Sequence, residues 1–360
     1  MAKKVVVGMS GGVDSSVAAW LLKQQGYEVI GVTMQIWQDE EEAVMEENGG
    51  CCGLSAVDDA RRVAAQLDIP YYVMNFKDVF REKVMDYFTA EYVSGRTPNP
   101  CIACNRYVKW EALLKRSLDI GADYIATGHY ARIEQLPNGR MAVRQSVTAA
   151  KDQTYALYNL TQGQLKHTLM PVGDYTKDQI RAMAEETGLR VAHKPDSQEI
   201  CFVPDNDYAG FIERSTGCPC QPGNFVDREG HILGTHRGII HYTIGQRKGL
   251  GLAMGKPMYV KSTDAETNTV VLGTNDELFS SRVYGEKLNW IAGELPKEPL
   301  SVVARVRYHG KDQPATLHFQ GDGRILAEFS VPQRAVTPGQ AIVFYQGEKM
   351  LGGAEIVRGE

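Results

Sequence analysis

Seven cysteines, at positions 51, 52, 101, 104, 201, 218 and 220, are the residues of this chain best suited to nucleophilic or metal chemistry. Their odd number, and an N-terminus that leads into a predicted strand rather than a signal peptide, favour metal-binding, redox or catalytic thiols over a disulfide framework. Cys101 and Cys104 have CxxC spacing in TPNPCIACNRYVKW (97–110). A helix is predicted just after them, and its dipole would lower the pKa of a nearby thiol. Cys201 follows a polar turn in KPDSQEICFVP (194–204). On its own, each motif is equally compatible with a buried structural cysteine.

A second stretch, GMSGGVDSS (8–16), lies between a predicted buried strand and a predicted helix. A strand, a glycine turn and a helix N-terminus together gather backbone N–H groups around an anion. Gly11 and Gly12 allow close approach of the backbone, and hydroxyl donors come from three serines, Ser10, Ser15 and Ser16. The stretch lacks the Gly-Lys-Ser/Thr ending of a Walker A loop and the glycine spacing of a dinucleotide fingerprint.

Asp14 is the unusual residue of this stretch, because a carboxylate beside phosphates repels them unless a cation lies between. A simple helix-capping role for Asp14 or a serine is the alternative. The stretch resembles the SGGxDS loop of the ATP enzymes that release pyrophosphate and adenylate a substrate carbonyl. In those enzymes the loop binds pyrophosphate and the acidic residue helps to hold magnesium.

The elements that must position these residues alternate through the first two hundred positions. Strands are predicted over 5–9, 29–34, 71–76 and 124–127, and helices over 15–25, 55–67, 79–93 and 110–118. This alternation predicts an α/β fold with a parallel sheet covered by helices on both faces. From Phe225 onward short strands alternate with turns, including a predicted hairpin over 263–273. The second half is therefore predicted to be a small central, mostly-β domain followed by a C-terminal β-barrel. The predicted domain boundaries are 1–204, 205–276 and 277–360.

Length and charge narrow the function classes further. A chain of 360 residues is expected to form two or three domains, and no apolar run approaches membrane-spanning length. We therefore expect a cytoplasmic protein with no membrane partner. The net charge of −5 argues against a general nucleic-acid coat protein, although residues 231–261 contain five Lys or Arg, three His and no acid.

The loop and the cysteine motifs together closely resemble the tRNA-specific 2-thiouridylase family. Further matching segments extend over essentially the whole chain: GGCCGLSAVDDARRVA (49–64), ATGHYARI (126–133), KDQTYALY (151–158), HYTIGQRKGLG (241–251) and TPGQAIVFY (337–345). The resemblance implies ATP-dependent sulfur transfer to C2 of the wobble uridine in tRNAs such as those for Lys, Glu and Gln. It also implies Mg²⁺ with the ATP, and a cysteine desulfurase or a sulfur-carrier protein as the sulfur donor. The three predicted domains would then be an ATP-binding catalytic domain, a tRNA-contacting linker domain and a tRNA-binding barrel.

Site residues follow from the same resemblance. Cys201 would carry a persulfide, and Cys104 would be the nucleophile that releases its sulfur by forming a disulfide with Cys201. Asp14 would serve magnesium and pyrophosphate. ATP would be bound by residues of the loop and two further positions: Gly8, Met9, Ser10, Gly11, Gly12, Val13, Asp14, Ser15, Met34 and Gly128. The tRNA, including the target base, would contact Asn99, Pro100, Cys101, His129, Lys151, Asp152, Gln153, Arg307, Tyr308 and Gln340.

Cys101 departs from the family pattern, since many members have an aspartate there that has been considered a general base or a cluster ligand. Three thiols, Cys101, Cys104 and Cys201, could instead hold a [4Fe–4S] cluster with one open site that delivers sulfide. We rank the persulfide route first. No firm metal site is predicted. Structural or positional roles are favoured for Cys51 and Cys52, and an exposed turn is favoured over half a zinc site for Cys218 and Cys220.

Two functions of other classes remain open from the residues alone. A small-molecule adenylating amide ligase could use the same loop, but this chain shows no recognisable glutaminase module and its cysteines would be idle. A non-catalytic RNA-binding protein would explain the β domains, but it would leave the loop and Cys104 without a purpose.

Overall fold

The computed structural model describes residues 2–36, 54–195 and 200–360. Cys51 and Cys52, and residues 196–199 ahead of Cys201, lie outside the described residues. The chain forms two compact units. The first comprises Met1–Met85, Cys101–Asn206 and Glu348–Met350, and the second comprises Asp86–Pro100, Asp207–Gly347 and Leu351–Glu360.

A five-stranded parallel sheet organises the first unit. Its strands are β1 (Lys4–Gly8), β2 (Glu28–Gln35), β3 (Tyr71–Asn75), β4 (Tyr124–Ala126) and β7 (Thr168–Leu169), in the order β3-β2-β1-β4-β7. Central β1 pairs Val6 with Ile30 on one side and with Ile125 on the other. The valines of β1 are completely buried, as expected for a strand covered on both faces.

The first unit also contains α-helices. They are α1 (Val13–Gln24), α2 (Leu54–Gln66), α3 (Lys77–Phe80), α5 (Pro100–Ala103), α6 (Leu114–Asp119), α7 (Gln162–Leu165) and α8 (Lys177–Glu186). The wider π-type segments Arg81–Met85 and Cys104–Leu113 follow α3 and α5 directly. Apolar side chains of α1, α2 and α8 form one core with Val5 and Val7, while Val6 points to the opposite face. A hairpin of β5 (Ala131–Gln135) and β6 (Met141–Gln145) completes the unit with two 3₁₀ turns, Ala149–Lys151 and Thr154–Leu157.

The second unit contains two helices, α4 (Asp86–Val93) and α9 (Tyr208–Thr216), and two β structures. A four-stranded sheet has the order β10-β11-β8-β9, with β8 (Gly223–Val226), β9 (Ile232–His236), β10 (Tyr259–Asp264) and β11 (Thr269–Gly273). The C-terminal strands are β12 (Phe279–Trp290), β13 (Leu300–Arg305), β14 (Gln313–Gly321), β15 (Arg324–Arg334), β16 (Ala341–Gln346) and β17 (Lys349–Gly359), of which the first two residues of β17 are grouped with the first unit. Pairing of β12 with both β15 and β17 closes these six strands into a barrel. Short 3₁₀ turns occur at Ile239–His241 and Asp276–Leu278.

The predicted fold class is confirmed: a parallel α/β domain, a small central β domain and a C-terminal barrel. The predicted hairpin at 263–273 is confirmed as the antiparallel pair β10–β11. One helix prediction was wrong at its start, because helical structure begins at Pro100 rather than near Trp110. Proline is favoured in the first turn of a helix, where its missing N–H costs nothing. Within the described residues, no helix is long and apolar enough to cross a membrane.

Candidate nucleotide and thiol site

The loop predicted to bind phosphates, within residues 8–16, follows the carboxyl end of β1 and leads into α1. Gly11 has φ +69°, and a Cβ atom there would lie 2.4 Å from the carbonyl oxygen of Ala56. Glycine is therefore required by both the backbone conformation and the space. No side chain caps α1 at Gly12, so the first turn of the helix directs its backbone N–H groups outward without a side-chain acceptor. A helix start of this kind suits an anionic ligand.

Serine hydroxyls hold the loop in shape. Ser15 Oγ accepts a hydrogen bond from the Ser10 N–H at 3.2 Å and donates to the Gly12 carbonyl at 3.2 Å. Ser16 Oγ donates to the same carbonyl at 2.8 Å. These bonds fix the loop without using all the hydrogen-bonding capacity of the hydroxyls.

Gly128, from the ATGHY segment after β4, lies directly against the start of α1. A Cβ atom at this position would lie 2.6 Å from Ser15 N and 2.7 Å from the Asp14 carbonyl carbon. Two sequence-distant segments predicted to bind ATP are therefore brought together. Met34 lies near the carboxyl end of β2, the strand beside β1. In parallel α/β sheets, ligands bind at this edge.

Asp14 lies in the first turn of α1, and its carboxylate is held by two donors from elsewhere in the unit. Lys177 Nζ donates to Oδ1 at 2.8 Å and to Oδ2 at 2.9 Å. The Tyr130 hydroxyl donates to Oδ1 at 2.7 Å. Both oxygens therefore already have a donor, and a cation already stands beside the carboxylate.

The three thiols predicted for sulfur chemistry all belong to the first unit. Cys101 is exposed on α5, whereas Cys104, one helical turn later, is part-buried. Cys201 is part-buried in the turn whose next residue, Phe202, packs edge-on against Phe80 with ring centroids 5.7 Å apart. None of the three is joined in a disulfide. Among the described residues, the group of side chains close enough to share a metal ion is Asp227, Glu229 and His231 on an exposed turn, not these thiols.

His129 is connected to the helical segment of Cys104. Lys109 Nζ donates to Asn105 Oδ1 at 2.8 Å and lies 3.4 Å from His129 Nε2. Because lysine only donates, His129 Nε2 acts as the acceptor and the ring proton resides on Nδ1, which lies 2.7 Å from Thr127 Oγ1. Burial first, and the Lys109 charge second, hold the pKa of His129 well below its usual value of 6.5. The imidazole is therefore neutral near pH 7.

The segment Lys151-Asp152-Gln153 is tied to the same region by its side chains. Gln153 Oε1 accepts from the Tyr130 N–H at 2.8 Å, which fixes the strand start next to His129. Asp152 is buried and accepts from the Ser146 N–H at 3.2 Å and from Thr154 Oγ1 at 2.8 Å. Asp152 and Gln153 thus shape the local backbone, and Lys151 is part-buried in the same turn.

The remaining predicted RNA contacts belong to the second unit. Gln340 Nε2 donates to the carbonyls of Thr97 at 2.8 Å and Pro98 at 3.2 Å, so it fixes the segment that leads into Asn99 and Pro100. Arg307 Nη2 donates to the Arg334 carbonyl at 2.5 Å. The Tyr308 ring packs edge-on against the next residue, His309.

Sequence reasoning did not predict Lys177, Tyr130 or Lys109 as parts of the site. Lys177 is 163 positions from Asp14 along the chain, and Tyr130 is 116 positions away. A single lysine or tyrosine far away in the chain forms no recognisable sequence motif, so these contacts become visible only in the folded structure. Cys218 is exposed, as expected for a turn, whereas Cys220 is part-buried and burial raises the pKa of its thiol.

Together the fold and the loop define a multidomain protein with a nucleotide-binding α/β domain of the HUP class. Residues 3–205 match the family model described as "tRNA methyl transferase HUP domain". Residues 210–274 match "tRNA methyl transferase PRC-barrel domain", and residues 280–356 match "Aminomethyltransferase beta-barrel domain".

Three curated relatives resemble the chain over nearly its whole length. The tRNA-specific 2-thiouridylase MnmA of Lachnoclostridium phytofermentans is 67% identical over 99% of this chain and 100% of its own. The proteins of the same name from Acetivibrio thermocellus and Clostridioides difficile are 60% and 56% identical, over 98% and 99% of this chain and 99% and 98% of their own. The chain therefore belongs to the tRNA-specific 2-thiouridylase family.

Proposed function

We propose that this protein uses ATP to convert the C2 carbonyl of the wobble uridine of tRNA into a thiocarbonyl. The observation that carries the proposal is the loop at the start of α1, closed over by Gly128, in a chain that matches tRNA-specific 2-thiouridylases from end to end. Backbone N–H groups and the helix dipole favour the polyphosphate of a nucleotide. ATP would transfer its AMP group to the C2 oxygen, with pyrophosphate as the leaving group, and thereby make that oxygen a good leaving group.

The sulfur step proposed for this chain uses two of its thiols. The terminal sulfur of a persulfide on Cys201 attacks the activated C2, and the thiolate of Cys104 attacks the Cys201 sulfur. The persulfide S–S bond breaks, its terminal sulfur stays on C2, and a Cys104–Cys201 disulfide forms. Departure of AMP with the C2 oxygen completes the exchange, and an external reductant must restore the two thiols. A cysteine desulfurase or a sulfur-carrier protein would reload Cys201.

Each unit is proposed to carry tRNA contacts of its own. In the first unit, His129 and the Lys151-Asp152-Gln153 turn lie on segments that are hydrogen-bonded to each other through Tyr130. In the second unit, Gln340 holds the chain just before Asn99. We propose that wobble-uridine tRNAs such as those for Lys, Glu and Gln bind there, in the cytoplasm, and that the domain boundaries are those predicted from the sequence. A three-cysteine iron–sulfur cluster would serve the same reaction, but no observation on the described residues favours it.

The test is ATP–pyrophosphate exchange by the purified chain, with and without unmodified tRNA. We expect exchange of labelled pyrophosphate into ATP only when tRNA is present, because the adenylated species forms on the RNA. Exchange that needs a small carboxylic acid instead would indicate an amide ligase. Absence of exchange in a chain that still binds tRNA would indicate a non-catalytic RNA-binding protein.

A further inference from the structure

The Lys109 ammonium is held by neutral groups. Lys109 is part-buried in the helical segment that starts at Cys104. Its Nζ donates to Asn105 Oδ1 at 2.8 Å and lies 3.4 Å from His129 Nε2, which belongs to a neutral imidazole. Within the part of the chain that the structure describes, no carboxylate pairs with this ammonium. A lysine ammonium has three N–H donors, so one of them remains for a ligand.

Both partners of this ammonium are fixed by the fold. Asn105 is buried, and its Nδ2 donates to the Ala156 carbonyl at 2.9 Å. The His129 ring packs against Trp110 with ring centroids 5.5 Å apart, and its Nδ1 lies 2.7 Å from Thr127 Oγ1. The ammonium is therefore positioned before any ligand arrives, and a positioned charge needs little reorganisation when it binds an anion.

The winding of the segment brings Lys109 to the same side as Cys104. In an α-helix, residues five apart lie about 140° from each other around the axis. The segment Cys104–Leu113 is instead a π-type helix, and the Leu114 N–H is bonded to the Lys109 carbonyl five residues earlier. Because such a turn closes every five residues, Lys109 lies one turn after the thiol of Cys104.

The far end of the same segment reaches the phosphate loop. A Cβ atom at Gly8 would lie 3.8 Å from Leu113 Cδ2 and 3.8 Å from Thr127 Cγ2. Leu113 ends the segment that carries Lys109, and Thr127 is the residue that His129 contacts. The segment thus has a thiol at one end and the start of the phosphate loop at the other, with the ammonium between them.

We propose that Lys109 is a catalytic residue that binds the α-phosphate of ATP and, after adenylation, the phosphate of the AMP group on the uridine. The pyrophosphate part of ATP would lie on the phosphate loop, and the uridine would lie beside the thiol of Cys104. The α-phosphorus is the atom that joins these two groups during the reaction. A cation that lies between loop and thiol is therefore suited to this phosphate.

The step that Lys109 assists is the transfer of the AMP group. The C2 oxygen of the uridine forms a bond to the α-phosphorus, the bond from that phosphorus to the bridging oxygen breaks, and its electron pair leaves with pyrophosphate. The N3 proton of the base passes to water. Negative charge on the oxygens around phosphorus is stabilised by the ammonium. This inference rests on the proposed function and deepens it by naming a residue for the adenylation step.

The experiment compares wild type with Lys109→Met, which removes the charge and keeps a long side chain. At saturating ATP and tRNA, tRNA-dependent ATP–pyrophosphate exchange should fall by about a hundredfold to a thousandfold, the effect of losing one positioned donor to the reacting group. By calorimetry, AMP should bind about tenfold more weakly, because a charge-assisted hydrogen bond is lost. Pyrophosphate should bind as it does to wild type, since the loop holds it.

Lys115→Met is the matched control, because Lys115 is exposed on α6, which follows the same segment. This variant should equal wild type in exchange and in both affinities. Should Lys109→Met not fold, the unaltered protein provides a second test. AMP should protect Lys109, but not Lys115, from acetylation read by mass spectrometry, and pyrophosphate alone should protect neither.

Three results with Lys109→Met would overturn this assignment while the proposed function stands. Wild-type exchange with loss of 2-thiouridine would assign the charge to the sulfur step. Wild-type exchange at saturating tRNA, with weaker tRNA binding and a salt slope lower by about one unit, would assign it to an RNA backbone phosphate. Equal losses of AMP and pyrophosphate affinity would indicate a structural role.

In the second test, acetylation of Lys109 that AMP does not slow would overturn the assignment as well. A failure of the proposed function looks different. Wild type itself would then show no tRNA-dependent exchange and would not bind ATP, and the role of Lys109 would fall with it.

Discussion

Cys101 and Cys104 lie one helical turn apart, yet their surroundings differ. Cys101 is exposed on α5, whereas Cys104 is part-buried in the helical segment that also carries Lys109. A persulfide route needs Cys104 and Cys201 as a pair, and it leaves Cys101 as a neighbour. A cluster route needs all three thiols, because losing one of three ligands leaves the iron poorly held.

We therefore expect Cys104→Ser and Cys201→Ser to be inactive and Cys101→Ser to retain measurable thiolation in aerobically purified, colourless protein. The measurement is the 2-thiouridine content of tRNA after reaction. Activity that appears only after anaerobic loading with iron and sulfide, and that all three serine variants lose together with the colour, would contradict the persulfide route.

His129 gives a pH dependence whose sign follows from its environment. Burial and the Lys109 charge lower the pKa of His129 in the folded chain. Below about pH 6.5, His129 is therefore protonated in the unfolded chain while it stays neutral in the folded chain. The free energy of unfolding should therefore fall as the pH drops from 7.5 to 5.5. His129→Gln removes this titration, and the decline measured by urea denaturation should be shallower in the variant. Parallel curves for the two proteins would show that His129 is not buried in its neutral form.

At the residue scale, motif residues could be predicted from the sequence and their partners could not. The glycines and serines of the loop are neighbours in the chain, so their spacing in the sequence is enough to predict a phosphate-binding loop. Lys177 and Tyr130 reach Asp14 only because α8 and the segment after β4 pack against α1. The magnesium expected at Asp14 stays a prediction. The structure adds a lysine from a distant helix, Lys177, beside the same carboxylate.

At the scale of secondary-structure elements, the site depends on how closely other segments approach the start of α1. Gly128 is a close case, since an added Cβ atom would lie 2.6 Å from Ser15 N, and backbone atoms cannot move aside as the end of a flexible side chain can. Gly163 in α7 is a matched control, because its nearest neighbour would be 3.9 Å away.

We expect Gly128→Ala to lower the free energy of unfolding by about 1–3 kcal/mol and to weaken ATP binding, since α1 must shift to accommodate the methyl group. Gly163→Ala should leave both nearly unchanged. Chemical denaturation and calorimetry measure the two quantities. Equal behaviour of the two variants would mean that the segment after β4 does not press on the phosphate loop.

Element boundaries were predicted well where hydrophobic periodicity is strong. The predicted helix over 15–25 and strands over 5–9 and 29–34 agree with α1, β1 and β2 to within two residues. The helical start at Pro100 was missed because Pro and two cysteines interrupt the apolar pattern there. The edge strand β7 has only two residues, too few for any period to show.

On the scale of the whole molecule, the order of an α/β domain, a central β domain and a barrel could be predicted from the change of pattern near residue 204. What the sequence did not reveal is that residues 86–100 cluster with the second unit. Gln340 and Arg96 explain this grouping, since Gln340 binds the Thr97 carbonyl and Arg96 forms ion pairs with Glu91 and Glu355. Thr97 is 243 positions from Gln340 along the chain, and Glu355 is 259 positions from Arg96. No local sequence pattern could therefore predict these contacts.

The acid-free stretch 231–261 offers a test of RNA binding by the second unit. Arg247 and Lys248 are exposed, and neither has an ion-pair partner among the residues that the structure describes. Neutralising both should weaken tRNA binding and lower the slope of log affinity against log salt by about one unit per lost phosphate contact. Exposed Lys297→Ala and Lys311→Ala form a control pair of equal charge change. An unchanged slope would mean that the stretch is only a solvated surface.

The central claim, ATP-dependent thiolation of a tRNA uridine, is tested most directly by its product. Purified chain, ATP, a persulfide-generating sulfur donor and unmodified tRNA transcripts are incubated together, and the digested nucleosides are analysed by mass spectrometry. We predict 2-thiouridine at the wobble position, one AMP released per thiolated base, and no product when ATP is omitted. Sulfur found at another position, or a tRNA that remains unmodified while ATP and the donor are both consumed, would contradict the account.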